Sequence, residues 1–210
     1  MPDWLIERGI GETRAALVDG GEIVEARIIL DGVVRAGTVL EAQLKQAGVP
    51  AVALADGVEY LLPAGAPGTS QGAALRIAVT RETIPGAEPW KRPLARASDE
   101  LPSVAPGISG REAAFPADYG WDDVVEQARS GMVEFAGGSL RISPTPAMTL
   151  IDVDGTLPPA ELAVAGAAAA ARAIRRLDIG GSLGIDLPTV AGKAPRLTAP
   201  GRPGRPTQLR

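Results

Sequence analysis

Ala147-Met-Thr-Leu-Ile-Asp-Val-Asp154 reads as a buried strand ending in two carboxylates, and the residues after it decide the fold class of the C-terminal half. Pro158-Pro-Ala-Glu-Leu162 opens an alanine-rich stretch that runs to Leu177. Proline is tolerated in a first helical turn and alanine has the highest helix propensity, so this stretch is a helix, stopped by Gly180-Gly181. Ser182-Leu-Gly-Ile-Asp186 is a second short strand. Strand, helix and strand make a βαβ unit, whose crossover is right-handed and whose strands run parallel, usually as neighbours. The expectation is that Asp152 and Asp186 stand at the C-terminal ends of adjacent strands, where open α/β sheets build their sites.

Upstream of this unit, Trp121, Val124, Val125 and Ala128 have helical spacing. Met132 to Phe135, the Gly137-Gly138 turn and Leu140 to Ile142 make a hairpin. A second domain is therefore expected over residues 118–192. Residues 84–117 hold six prolines without apolar periodicity and read as a linker. From Trp4 to Thr83 short apolar segments alternate with turn signals: Arg14 to Val18, Asp19-Gly20-Gly21, Glu22 to Ile29, Gly37 to Lys45, Ala51 to Ala55, Asp56-Gly57, Val58 to Leu62 and Ala74 to Arg81. Glycine supplies the positive φ that tight hairpins need, and about six strands at this spacing suggest a small closed barrel over residues 1–83. The expected class is α+β and multidomain, a β-barrel followed by a partial α/β domain.

Composition narrows the chemistry. The 210 residues hold no cysteine and no histidine. Disulfides, thiolate or histidine metal sites and serine–histidine triads are thereby excluded. Carboxylates, lysines, hydroxyls and oxygen-bound cations are left to act. Aromatics are 3% of the chain, so Ala, Val, Leu and Ile must build the core. The formal charge is −4, with five cations and no acid in Lys193–Arg210, which leaves −9 on residues 1–192. An acidic body with a basic tail does not decide the nucleic-acid question by charge alone. The start carries charge where a signal peptide needs an apolar region, and Leu162 to Ala171 is too short an apolar run to span a bilayer. A cytoplasmic protein without a membrane partner is expected.

Two or three carboxylates converging in such a sequence suit Mg²⁺ or Mn²⁺, hard cations that take oxygen ligands and leave room for substrate phosphates. A cation of this kind polarises a phosphoryl oxygen and activates water, supplying the nucleophile the chain otherwise lacks. The bland alternative is that Asp152 and Asp154 only solvate a strand end or cap the next helix. A rival lies in Asp152-Val-Asp154-Gly155-Thr156-Leu157, which resembles the nucleophile motif of haloacid dehalogenase-like phosphatases. That family opens its domain with the motif and needs further Ser or Thr, Lys and acidic residues downstream, for which Thr189 and Lys193 are candidates in name only.

The wider order of segments resembles the ribonuclease E/G family. Glu12-Thr-Arg-Ala-Ala-Leu-Val-Asp-Gly-Gly21 looks like its opening strand and hairpin, and Arg35-Ala-Gly-Thr-Val-Leu40 through Leu61-Leu62-Pro63 like its S1 RNA-binding barrel of the OB-fold type, with Arg76-Ile-Ala-Val-Thr-Arg-Glu82 as the last strand. Gly137-Gly138-Ser-Leu-Arg-Ile-Ser143, Met148-Thr-Leu-Ile-Asp-Val-Asp154 and Ala171 to Asp186 look like the approach to the catalytic site and the helix and strand that complete it. The resemblance implies an endoribonuclease acting on single-stranded RNA, with Asp152 and Asp186 holding the cation and Asp154 supporting the site where the family usually has Asn. It also implies phosphate contacts at Lys91 and Arg92.

Several departures accompany it. The pocket that senses a 5′-monophosphate would fall in the proline-rich span and is missing. The barrel's stacking aromatics fall at Leu54 and Leu61. Zinc-linked subunits are impossible, so any homo-oligomer forms without zinc. The family continues past Asp186 with more sheet and helix, whereas residues 193–210 turn to Pro/Arg/Gly-rich text expected to be disordered, as in a truncated or frame-shifted product. A non-catalytic RNA-binding remnant is the alternative function.

Overall fold

The computed structural model describes residues 3–83, 91–113 and 119–189. Its fold is α+β, and the chain divides into two units, one made of residues 1–29 and 109–210 and the other of residues 30–108. The second unit is thus inserted into the first.

The inserted unit is a closed five-stranded barrel. Its strands are β4 (Val39–Gln46), β5 (Ala51–Ala55), β6 (Val58–Leu62), β7 (Ala74–Arg81) and β8 (Leu94–Ser98), in the order β4-β5-β6-β8-β7 with β7 closing onto β4. All neighbours are antiparallel except β6 and β8, which meet in parallel at Leu61 and Leu94. So few strands enclose little volume, which explains an interior of Ala42, Ala51, Ala53, Ala55 and Ala95 around the large buried Leu44, Tyr60, Leu62 and Ile77. Burial pushes the Tyr60 hydroxyl's pKa above its ordinary value, with Asp56 adding to the shift. Thr38, buried just ahead of β4, accepts a hydrogen bond from the Ala105 amide at 3.1 Å.

The other unit carries two sheets. The first has the order β3-β2-β1-β9, from β1 (Asp3–Arg8), β2 (Glu12–Asp19), β3 (Glu22–Leu30) and β9 (Arg111–Glu112). Its core joins Ala16 and Ile23 to Trp121 and Val124 of helix α1 (Trp121–Ser130). Helix α1 ends at Gly131, whose φ of 70° favours glycine and where a Cβ would lie 2.4 Å from the Ile142 carbonyl oxygen.

The second sheet has the order β10-β11-β12-β13, from β10 (Met132–Phe135), β11 (Gly138–Pro144), β12 (Thr149–Gly155) and β13 (Leu183–Asp186). Helix α2 (Pro159–Arg176) lies on one face of it. Leu162, Ala169, Ala170 and Ala173 pack against Val133, Leu140, Ile151 and Val153. Fully burying a side chain such as Leu140 or Ile151 is worth about 1.5–3 kcal/mol. The small residues of α2 let the helix approach closely: a Cβ on Gly166 would stand 2.3 Å from Val153 Cγ1.

The observed boundaries correct the sequence reading in three places. The barrel does not occupy residues 1–83, because β1, β2 and β3 form an open sheet of the other unit. Residues 84–117 are not all linker: Leu94–Ser98 closes the barrel and Arg111–Glu112 adds a parallel edge to β1. Only Ala95 of that closing strand is buried, so it shows none of the apolar alternation that marks a strand. No new domain begins near residue 118; the chain re-enters a unit begun by residues 1–29. Trp90, most of the proline-rich span before it and the basic tail lie outside the described residues.

Candidate functional site

Side chains alternate along a strand, so the residues of β12 divide cleanly. Ile151 and Val153 turn to the helix and are buried, while Leu150, Asp152 and Asp154 are exposed on the opposite, open face. The parallel ladder between β12 and β13 pairs Thr149 with Leu183, Leu150 with Gly184, Ile151 with Ile185, and Asp152 with Asp186. Hydrogen-bonded strands lie about 4.8 Å apart, and register partners share a face. The two aspartates predicted from the sequence therefore stand side by side.

Asp152 is not at a strand end, as the sequence reading had it. It is the fourth residue of β12, which continues to Gly155 because β11 pairs with it that far. What ends at Asp152 is the ladder with β13, whose last residue is Asp186. Asp154 follows two residues on, roughly 6.6 Å along the strand and on the same face.

The antiparallel partner of Asp152 on β11 is Arg141, whose own partner on β10 is Met132. One row across the open face thus reads Met132, Arg141, Asp152, Asp186. The next reads Glu134, Ser139, Asp154. Charges held about 5 Å apart in water repel by about 1 kcal/mol, and Arg141 offsets part of this on one side only. Arg141 was not singled out from the sequence, although the alternation of Ser139, Leu140, Arg141 and Ile142 carries the signal that puts it on the open face.

Two carboxylates in register, with Asp154 next along, suit a cation bound by one or two protein carboxylates plus substrate oxygens. Among the described residues, no group of three or more acidic side chains is gathered closely enough to hold a metal by itself.

Lys91 and Arg92 belong to the barrel unit. Arg92 is an exposed loop cation with a partner: its Nε pairs with Glu59 Oε2 at 2.9 Å, and its carbonyl accepts from Arg81 Nη2 at 2.7 Å. Lys45 Nζ also donates to Glu59. Leu54 and Leu61, where aromatic stacking was sought, are half-buried on β5 and β6. Among the described residues no helix is long and apolar enough to cross a membrane.

No family model matches the chain, and no curated protein matches it.

Proposed function

We propose that this protein is a short metal-dependent endoribonuclease of the ribonuclease E/G type, acting on single-stranded RNA in its processing or decay. The observation that carries this reading is the register pairing of Asp152 with Asp186 on the open face of a sheet backed by α2. Asp152 and Asp186 would hold Mg²⁺ or Mn²⁺, which supplies Lewis-acid polarisation of the phosphate and activation of water when bound. Asp154, on the same face, orients the site from the next row. Arg141, beside Asp152, offers a fixed positive charge to a phosphate oxygen.

The barrel supports the same reading. Its order places the third and fifth strands in parallel contact and closes the fourth onto the first, which is the arrangement of a five-stranded Greek-key barrel; we read it as an S1-like OB-fold that binds the RNA strand. Zinc has no ligands of its preferred kind in this chain.

A non-catalytic RNA binder is the second reading. It is favoured by the lack, among the described residues, of a third acidic side chain close enough to complete a cation site. Cleavage of a fluorescent single-stranded RNA with Mg²⁺ or Mn²⁺, beside filter binding of the same RNA, separates the two. Cleavage lost in both Asp152→Asn and Asp186→Asn supports the enzyme. Binding without cleavage, unchanged by either substitution, supports the binder. Hydrolysis of small phosphomonoesters with RNA left intact would instead favour a haloacid dehalogenase-like phosphatase using Asp152 and Asp154.

A further inference from the structure

Among the described residues, no strand pairs with the outer side of β13. The Thr149 amide donates to the Ser182 carbonyl at 3.0 Å, so in the parallel ladder Ser182, Gly184 and Asp186 turn their backbone groups to β12. The amides and carbonyls of Leu183 and Ile185 therefore point outward. Sheets of monomeric proteins usually guard such an edge with charge, proline or a bulge. The outer strand of the first sheet, β3, is guarded in this way: Glu25 pairs with Arg175, and Arg27 with Asp178. Leu183-Gly184-Ile185 carries no guard, and apolar side chains flank it on both faces. On the helix side, in register with Thr149 and Ile151, Leu183 is 37% exposed and Ile185 42%. On the open face Leu150 is 45% exposed and Met148 40%. Both lean over Gly184, where a Cβ would stand 2.9 Å from Leu150 Cδ2 and 3.3 Å from Met148 Sδ.

We propose that this edge pairs with the same edge of a second copy of the chain, joining two four-stranded sheets into one across a two-fold axis. Identical edges related in this way meet antiparallel, and only residues whose backbone points outward can exchange hydrogen bonds. An axis on Gly184 sets Leu183 against the partner's Ile185 twice over, and Gly184 against the partner's Gly184. Asp186 then lies opposite the partner's Ser182, whose hydroxyl can donate to the carboxylate. Other registers fit worse. An axis on Leu183 or on Ile185 carries the other residue past the end of the partner's strand, and an axis on Asp186 sets two carboxylates face to face. The occupant is therefore a second copy and not an unrelated strand, because the edge complements itself: apolar against apolar, glycine against glycine, carboxylate against hydroxyl. The row Met132, Arg141, Asp152, Asp186 gains the partner's Ser182. Four residues of rise and one strand spacing separate Asp186 from the partner's Asp186, about 14 Å, where salt already screens their repulsion.

The inference stands independently of the ribonuclease reading, since no part of its test uses RNA. Sedimentation of the full-length protein from about 1 to 500 μM should show two chains, and no more than two, at the upper concentrations, because a two-fold interface closes on itself. Each interface residue occurs twice, so Ile185→Lys and Leu183→Lys should each weaken association by about tenfold or more, with circular dichroism unchanged. The chain has no cysteine, so Gly184→Cys places a single thiol at the axis. Facing Cα atoms of such a rung lie about 4.5 Å apart, within disulfide reach, and mild oxidation should link two chains. Asp122→Cys, on α1, should not link them. A single chain at every concentration overturns the proposal without any variant. Association indifferent to both lysine substitutions, assemblies that grow beyond two, or equal cross-linking of the two cysteine variants also overturns it. A single-chain species whose Leu183 and Ile185 amides resist hydrogen exchange would assign the edge to another segment of this chain instead.

Discussion

Asp152 on β12 and Asp186 on β13 are register partners at the last rung of a parallel ladder. Neither strand alone makes the pair: β12 brings its aspartate from a rung flanked by Arg141, and β13 brings the second because α2 returns the chain to run parallel beside β12. On the endoribonuclease reading, both carboxylates bind the same cation. Asp152→Asn and Asp186→Asn should therefore each lower RNA cleavage by about 100-fold or more, the upper end of what disturbing a metal's outer partners costs. The double variant should be no worse than the more damaged single one, because the two act as a unit. Cleavage rates at saturating Mn²⁺ check this; two losses that multiply would show independent roles.

Gly166 faces Val153 across the contact between α2 and the sheet. Two opposed effects decide the outcome of Gly166→Ala. Alanine gains about 1 kcal/mol of helix propensity, but its Cβ would sit 2.3 Å from Val153 Cγ1. Overpacking of a well-filled core costs about 1–3 kcal/mol, so the clash wins and the variant should be less stable by up to about 2 kcal/mol. Adding Val153→Ala makes room for the new methyl and should restore part of the loss. Chemical denaturation of the two single variants and the double variant measures the coupling; strict additivity would mean the helix had simply moved aside.

The strand, helix and strand from Thr149 to Asp186, and hence the placing of Asp152 and Asp186 on neighbouring strands, were legible because each element announces itself: an apolar run, an alanine-rich amphipathic stretch and a glycine stop; the register that pairs them was not, since β12 runs on to Gly155 against β11. The barrel strands Ala51–Ala55, Val58–Leu62 and Ala74–Arg81 were legible for the same kind of reason, being short apolar runs bounded by turns. What could not be read was partnership. Glu12–Asp19 and Glu22–Leu30 look like barrel strands, and only tertiary contacts assign them to a sheet with β9, about 90 residues further along the chain. Arg92 reads as a free cation until Glu59, more than thirty residues earlier, is found paired with it.

Glu59 lies between Lys45 and Arg92 on the barrel surface. The hydrogen bond from Lys45, reinforced by the charges of Lys45 and Arg92, holds its carboxyl below the ordinary value of 4.5. A depressed carboxylate stabilises the folded state above its unfolded pKa, and that contribution is lost as pH falls through the folded value. The cluster should thus support the barrel at neutral pH and weaken below about pH 4.5. In a carboxyl-detected NMR titration Glu59 should titrate below the ordinary glutamate value, and Lys45→Ala or 1 M NaCl should move it back up. Insensitivity to both would mean that solvent already screens the pair.

Leu61 sits on β6 opposite Val52, half-buried on the barrel, at a position where the ribonuclease E/G resemblance implies an RNA-stacking aromatic. Leucine offers area but no π-face, and base stacking on an aromatic is worth about 1–3 kcal/mol per base. If the barrel binds RNA as an S1-like fold, Leu61→Phe should tighten single-stranded RNA binding by about 5- to 150-fold. The gain should be nearly independent of salt, because stacking releases no counterions, whereas Arg141→Ala should lower the salt slope by about 1 if that side chain touches a phosphate. Filter binding of an unstructured oligonucleotide between 50 and 200 mM salt separates the two effects. A phenylalanine variant that folds normally but binds RNA no better than the parent would place the RNA strand elsewhere than on the face of β5 and β6, and the S1-like reading of the barrel would go with it.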